Sequence, residues 1–243
     1  MLNENVILAQ NAMIKKTTAA ILYETNSDLV IENVDVAAPG PKEVFVQMGA
    51  AGVCHSDVHV ISGQAQQLMP CVLGHEGAGL VTSIGDDVSR VSVGDHVILS
   101  WLPYCENCYQ CIRGKTHLCK AFQTPVGNGT LLDGSCRFSN KHGPIRQLGS
   151  LGCWSENVVV SEECCVPINR SIPFEIAALL GCAVTTGVGA VLNRAKVQKG
   201  ETVVVIGAGG VGLSVVMAAK LQGASQIICI DKNRSMRNLA IEL

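Results

Sequence analysis

Six residues, Gly207-Ala208-Gly209-Gly210-Val211-Gly212, constrain the fold of this 243-residue chain more than any other stretch. They follow the apolar run 202–206 directly and open an apolar stretch that continues to residue 221. The spacing fits GxGxxG in the context it needs, after a strand and at the start of a helix. Gly207 permits the tight turn, Gly209 lets backbone approach a pyrophosphate, and Gly212 lets helix and strand pack closely. A second strand-like run, 226–230, ends at Asp231, and 233–243 reads as the start of another helix. Strand, helix and strand with a short crossover make one βαβ unit. The helix N-terminus offers N–H groups to phosphate. A carboxylate at Asp231 would bond an adenosine ribose and repel a 2′-phosphate, which favours NAD over NADP. Gly207, Gly209, Gly210, Val211, Gly212 and Asp231 are therefore the nucleotide candidates.

The earlier part of the chain differs. Strand-like runs fall at 19–23, 29–36, 43–50, 74–84, 96–100 and 154–160, with turns at Pro39-Gly40-Pro41 and Gly94-Asp95. Residues 1–16 read as a weakly ordered leader without the basic start of a secretory signal. Residues 103–152 hold a cysteine-rich lobe and a polar, Gly-rich loop, with no strong periodicity. From Pro173, placed as a first helical residue with Glu175 in the first turn, two helices are expected at 176–180 and 183–192. The expected division is a leader to 16, one domain over 17–174 with a lobe at 103–120, and a second domain over 175–243. Two uncharged stretches, 176–193 and 202–219, reach membrane-spanning length. Both are interrupted by glycine and by threonine or serine, so they read as buried strand and helix and not as membrane spans.

Two groups of residues have metal-ligand chemistry. Cys105, Cys108 and Cys111 are spaced CxxCxxC, and Cys119 follows after seven residues. Four thiolates fill a tetrahedron and close it to water, which makes a structural zinc site. A ferredoxin-like cluster has a three-residue gap and a proline after the fourth cysteine, whereas here the gap is longer and Lys120 follows. The second group is dispersed. Cys54 lies in Gly52-Val53-Cys54-His55-Ser56-Asp57-Val58-His59, His75 in Gly74-His75-Glu76, and Cys182 after Gly181. Two sulfurs and one nitrogen on one zinc leave a fourth position open, as in catalytic sites. Such an ion lowers the pKa of a bound water from about 15.7 to about 7, and a bound alcohol responds similarly. Asp57 is the candidate acceptor for the second ring N–H of His75. Glu76 would neutralise the ion or bind it transiently. Ser56 is placed to take an alcohol proton and His59 to pass it to water. Cys71, Cys136, Cys153, Cys164, Cys165 and Cys229 read as ordinary thiols.

Composition narrows the function further. A formal charge of -2 lacks the basic excess of a nucleic-acid surface, and Glu106, Asn107 and Gln110 would make the lobe a poor zinc ribbon for phosphate. Twelve cysteines, four of them clustered with metal spacing, point to reduced, cytoplasmic chemistry.

With these motifs together, the sequence resembles the zinc-dependent medium-chain alcohol dehydrogenase family over residues 17–243. Gly52-Val53-Cys54-His55-Ser56-Asp57, Gly74-His75-Glu76, the four-cysteine lobe, Gly181-Cys182-Ala183-Val184-Thr185-Thr186-Gly187 and the nucleotide turn with Asp231 carry the resemblance. It implies an α/β, two-domain chain: a GroES-like β-barrel, then a Rossmann doubly wound parallel sheet. It implies two zinc ions per chain and NAD, with Thr186 against the nicotinamide and His55 near the pyrophosphate, where many relatives carry arginine. The loop from Leu131 to Phe138 looks like the long-chain branch, which includes aryl and alkyl alcohol dehydrogenases and thiol-dependent formaldehyde dehydrogenases. The implied activity is oxidation of a primary alcohol to an aldehyde, or the reverse. The alternatives are a thiol–formaldehyde adduct as substrate, or an inactive zinc- and nucleotide-binding fragment. Partners would be small-molecule alcohols and aldehydes, with a homo-oligomer as the full-length form. A six-stranded dinucleotide fold needs more chain than follows Val203. The expectation is therefore a truncated Rossmann sheet with open strand edges, an exposed apolar helix face and poor turnover.

Overall fold

The computed structural model describes residues 15–243, so the expected leader lies outside the described residues except for Lys15 and Lys16, which begin the first strand. The chain divides into two compact units, one ending at Gly181 and the other beginning at Cys182.

The first unit is β-rich. In chain order it contains β1 (Lys15–Leu22), β2 (Val30–Val36), β3 (Glu43–Ala51), α1 (His55–Ile61), β4 (Cys71–Val72), β5 (Gly77–Ile84) and β6 (His96–Leu99). These are followed by α2 (Lys120–Asn128), β7 (Phe138–Asn140), β8 (Gly143–Gln147), β9 (Asn157–Ser161), β10 (Cys165–Ile168) and α3 (Phe174–Leu179). Strands β1, β2, β7, β8 and β4 close into a barrel, and a second sheet has the order β10-β6-β5-β3-β9. The residue patterns follow these positions. Strand β2 buries alternate residues Val34 and Val36, as a strand with one wet face does. Strand β9, Asn-Val-Val-Val-Ser, is buried along its whole length, and β3 is buried over its first four residues, between β5 and β9. Phe138, Leu99, Ile145 and valines from both sheets form one core.

The β3–β5 pair positions the site. It is antiparallel and irregular, with register shifts after Phe45 and after Met48. A side chain at Gly79 would come within 2.2 Å of the Gln47 carbonyl, so the strands close up where one shift occurs. The last rung pairs Ala51 with Gly77. Cys54 leaves this end three residues after Ala51, and His75 arrives two residues before Gly77. The register therefore delivers two sequence-remote segments to one place.

Residues 103–152 contain more structure than periodicity reveals. Helix α2 carries Pro125 inside it and ends at Gly129, whose φ of 66° suits glycine. Strands β7 and β8 are too short to show alternation. The loop ahead of β7 is fixed by Arg137, which is 4% exposed. Its Nε donates to Glu43 at 2.7 Å and its Nη2 to Asp133 at 2.9 Å, and its guanidinium also meets the Ser135 hydroxyl.

Helix α3 belongs with the first unit, because Ala177 and Ala178 pack against Ala78 and Ile98. The sequence places the boundary earlier, before this helix. Helical turns also continue through Gly181-Cys182, where a break was expected. Wider π-helical turns over Leu180–Val184 accommodate the pair, and a side chain at Gly181 would meet the Leu99 carbonyl at 2.6 Å. By length and composition alone Phe174–Ala195 is apolar enough to cross a membrane. The other uncharged stretch is instead a strand followed by a helix.

The second unit contains α4 (Thr185–Gly189), β11 (Thr202–Ile206), α5 (Gly210–Leu221), β12 (Gln226–Ile230) and α6 (Arg234–Glu242). Strands β11 and β12 pair in parallel, Val204 opposite Ile228, with α5 as the crossover. Val191, Val197 and Ala218 form its small core. Val204, Ile206, Ile228 and Ile230 are exposed on its sheet.

Glu43→Ala would leave the buried Arg137 guanidinium with Asp133 as its remaining carboxylate. The expected destabilisation is about 3 kcal/mol, the lower end for breaking a buried pair, measured by denaturant unfolding. Burial raises the Asp133 carboxyl, but bonds from Ser135 and Arg137 outweigh it and hold the group below the ordinary aspartate range. A depressed carboxyl stabilises the fold above its unfolded pKa and loses that contribution as pH falls through the folded value. The stability difference between the native chain and Asp133→Asn should therefore be constant above about pH 4 and shrink below it.

Candidate metal and nucleotide sites

The first site is built around Asp57, which is fully buried at 0% exposure. Its Oδ2 accepts the Cys54 backbone N–H at 3.0 Å, and its Oδ1 accepts the Gly74 N–H at 3.1 Å. His75 Nδ1 lies 3.1 Å from the same Oδ1. One carboxylate thus ties the start of α1 to the segment entering β5, and with Nδ1–H as donor it would leave Nε2 as the nitrogen able to ligate a metal. Cys54 Sγ, a ring nitrogen of His75 and a carboxylate oxygen of Glu76 lie within 4.8 Å of one another. Glu76 is 2% exposed. Burial raises the Cys54 thiol, but the Ser56 backbone N–H, the Ser56 hydroxyl and His75 outweigh it and hold the thiol below its ordinary range. A half-buried cysteine sulfur, an oriented imidazole and a buried carboxylate form a donor set that suits zinc.

Ser56 is exposed on α1 and His59 is half-buried one turn on. The rings of His55 and His59 meet edge to face, with centroids 4.7 Å apart. Two tryptophans absent from the sequence-based candidates border the site. Trp101 stands edge-on to His75, with centroids 6.2 Å apart. The Trp154 indole N–H donates to the Gly52 carbonyl at 3.0 Å. The sequence signal for both is faint: each follows a strand or turn near the site in space but far from it along the chain.

The second site lies within the same unit. The sulfurs of Cys105, Cys108, Cys111 and Cys119 all lie within 4.8 Å of one another. Cys108 and Cys111 are 3.5 Å apart, as are Cys105 and Cys119. Tetrahedral zinc with bonds of about 2.3 Å places its sulfurs about 3.8 Å apart, so the spacing fits. Backbone N–H groups of Cys111 and Lys120 pull Cys108 down to about 6, while burial and neighbouring thiols push Cys111 up to about 12. Four thiols in contact cannot share protons evenly, and a divalent cation removes that conflict. None of the twelve cysteines forms a disulfide among the described residues.

The nucleotide turn lies in the second unit. Gly207 has φ 97° and donates its N–H to Ile230 O at 2.8 Å. A side chain at Gly212 would come within 1.8 Å of Gly207 O, so α5 presses directly on the turn. Nothing lies within 4 Å of where a Gly209 side chain would stand, which leaves the backbone approachable. Gly210 and Val211 form the first turn of α5. Asp231 accepts the Ala208 N–H through Oδ2 and the Asn233 N–H through Oδ1, both at 2.7 Å. These bonds hold its carboxyl below the ordinary range. Thr186 is exposed on α4, and Cys182 begins this unit, half-buried.

Residues 40–170 match the alcohol dehydrogenase GroES-like domain family. An S-(hydroxymethyl)glutathione dehydrogenase of Saccharomyces cerevisiae is 46% identical over 224 residues, which cover 91% of this chain and 58% of that protein. The crystal structure of an alcohol dehydrogenase zinc-binding domain protein from Burkholderia ambifaria has a TM-score of 0.89 at 33% identity, covering 95% of this chain and 62% of that one. Benzyl alcohol dehydrogenase from Acinetobacter calcoaceticus has a TM-score of 0.87 at 33% identity, covering 94% of this chain and 62% of that one. The chain thus spans about three fifths of the length of the relatives it matches.

Asp57→Asn keeps the shape of the side chain and removes its charge. Metal bound through His75 should weaken by about 10–100-fold, read by chelator competition, while the four-cysteine site keeps its metal. Cys108→Ser should remove that lobe metal and make residues 103–120 sensitive to protease, read by metal analysis and limited proteolysis.

Proposed function

From a chain that belongs to the zinc alcohol dehydrogenase family, we propose NAD-dependent oxidation of a primary alcohol to an aldehyde, or the reverse. The observation that supports this reading is that ligand atoms of Cys54, His75 and Glu76 lie within 4.8 Å of one another, with the Asp57 carboxylate bonded to the Cys54 and Gly74 backbone N–H groups and facing the His75 ring. Cys54, His75 and Cys182 would hold the catalytic zinc, with Glu76 beside it. The four lobe cysteines would hold a second, structural zinc. When bound, the catalytic ion withdraws charge from an alcohol oxygen and lowers its pKa toward neutrality.

This chain's own residues do the rest. Asp57 keeps the His75 ring turned so that Nε2 serves as the ligand. The Ser56 hydroxyl takes the alcohol proton and His59 carries it to water. The Gly207–Gly212 turn and the N-terminus of α5 hold the pyrophosphate, and Asp231 takes the ribose hydroxyls. Thr186 would lie against the nicotinamide of a bound NAD, the hydride acceptor of this chemistry, and His55 would be the residue offered to its phosphates. The four-cysteine metal spacing suits a reducing cytoplasm, and the working form is a homo-oligomer with small-molecule alcohols and aldehydes as partners.

The 46% identical relative named for S-(hydroxymethyl)glutathione favours a second reading, in which the alcohol is a thiol–formaldehyde adduct. NADH formation from primary alcohols, compared with formaldehyde plus glutathione, separates the two. Activity confined to the thiol adduct would overturn the first reading. Under either, Cys54→Ala should lose one zinc of two and all turnover, and a variant that keeps both ions would refute the site.

A further inference from the structure

The two segments that carry Cys54 and His75 touch one aromatic ring. The Trp154 indole N–H donates to the carbonyl of Gly52, two residues before Cys54, at 3.0 Å. The same indole packs against Gly74, the residue before His75. A side chain on Gly74 would stand 2.4 Å from Trp154 Cδ1 and 2.8 Å from its Nε1. Gly74 also has φ 87°, so glycine is required there twice over. The backbone that carries the ring is anchored on both sides. Trp154 N–H donates to Leu73 O at 3.0 Å, Cys153 N–H to Gly74 O at 2.9 Å, and Ala20 N–H to Trp154 O at 2.8 Å. Gly52 N–H in turn donates to Glu76 O at 2.8 Å.

We infer that Trp154 is a positioning residue for the metal site: its indole is a spacer that sets the separation of the Gly52 and Gly74 segments, and so of Cys54 Sγ and the His75 ring. Asp57 draws the two segments together, and the indole limits how closely they approach. The pyrrole edge supplies both contacts, Nε1–H to the Gly52 carbonyl and Cδ1 against Gly74. Phenylalanine would keep the apolar contact with Gly74 but leave the Gly52 carbonyl without its donor. The inference rests on the reading that Cys54 and His75 bind a metal.

The test is Trp154→Phe in the full chain, with zinc affinity measured by chelator competition and site geometry by cobalt(II) substitution, whose thiolate bands follow the ligand field. Zinc at the Cys54–His75 site should weaken by about tenfold, with altered cobalt bands, while the four-cysteine metal and the unfolding temperature hold. Native affinity and native cobalt bands in the variant would overturn the inference. Equal weakening at both metal sites, or general unfolding, would also overturn it by making the role global. A native chain that binds metal only in the four-cysteine lobe would overturn the underlying metal reading and this inference with it. A second measurement leaves Trp154 intact. The chain has two tryptophans, so Trp101→Phe makes Trp154 the sole indole emitter. Removing the metal should then shift its emission to the red as the two segments part and water reaches the ring. Unchanged emission would count against the spacer.

Discussion

A single buried carboxylate holds the metal-binding end of the first unit together. Asp57 accepts backbone N–H groups from two segments and faces the ring of His75. A carboxylate buried this deeply is costly unless it is hydrogen-bonded. The three donors satisfy it, and each bond also serves as geometry. Without the carboxylate, the start of α1 and the entry to β5 would be neighbours with no fixed spacing. With it, a thiolate and an imidazole face one point. The barrel and second sheet behind them are the support that lets one ionised group act as a hinge pin.

Much of this was legible in the residues. The βαβ unit was visible because each of its signals is local: an apolar run, glycines at fixed offsets, and a carboxylate at the end of the next strand. Helix α5 and strand β12 lie where the pattern put them. The four lobe cysteines were visible because their spacing is itself the chemistry. The pairing of Asp57 with His75 was inferred from residue type alone, and the two atoms lie 3.1 Å apart.

What was not legible depends on distant partners. Arg137 reads as an ordinary loop arginine until Glu43, almost a hundred positions earlier, is placed beside it. Trp154 reads as a strand residue until Gly52 and Gly74 are both seen against the pyrrole edge of its indole. The lobe after residue 103 seemed featureless because its strands run for only three to five residues, too short for alternation to register. The helical turns through Gly181-Cys182 escaped notice because glycine is a poor helix former, and close packing on the Leu99 carbonyl overrides that preference. A GroES-like barrel has few long periodic segments, so sequence reveals its chemistry more readily than its topology.

The Ala51–Gly77 rung, where β3 and β5 end together, has one more consequence. The segments that carry Cys54 and His75 are attached to the same end of the same strand pair. That pair belongs to the second sheet and not to the closed barrel, so the spacing of the two segments is set within one ladder. A change of shape elsewhere in the unit therefore reaches the Cys54 and His75 segments together, through one shared anchorage, and not one at a time.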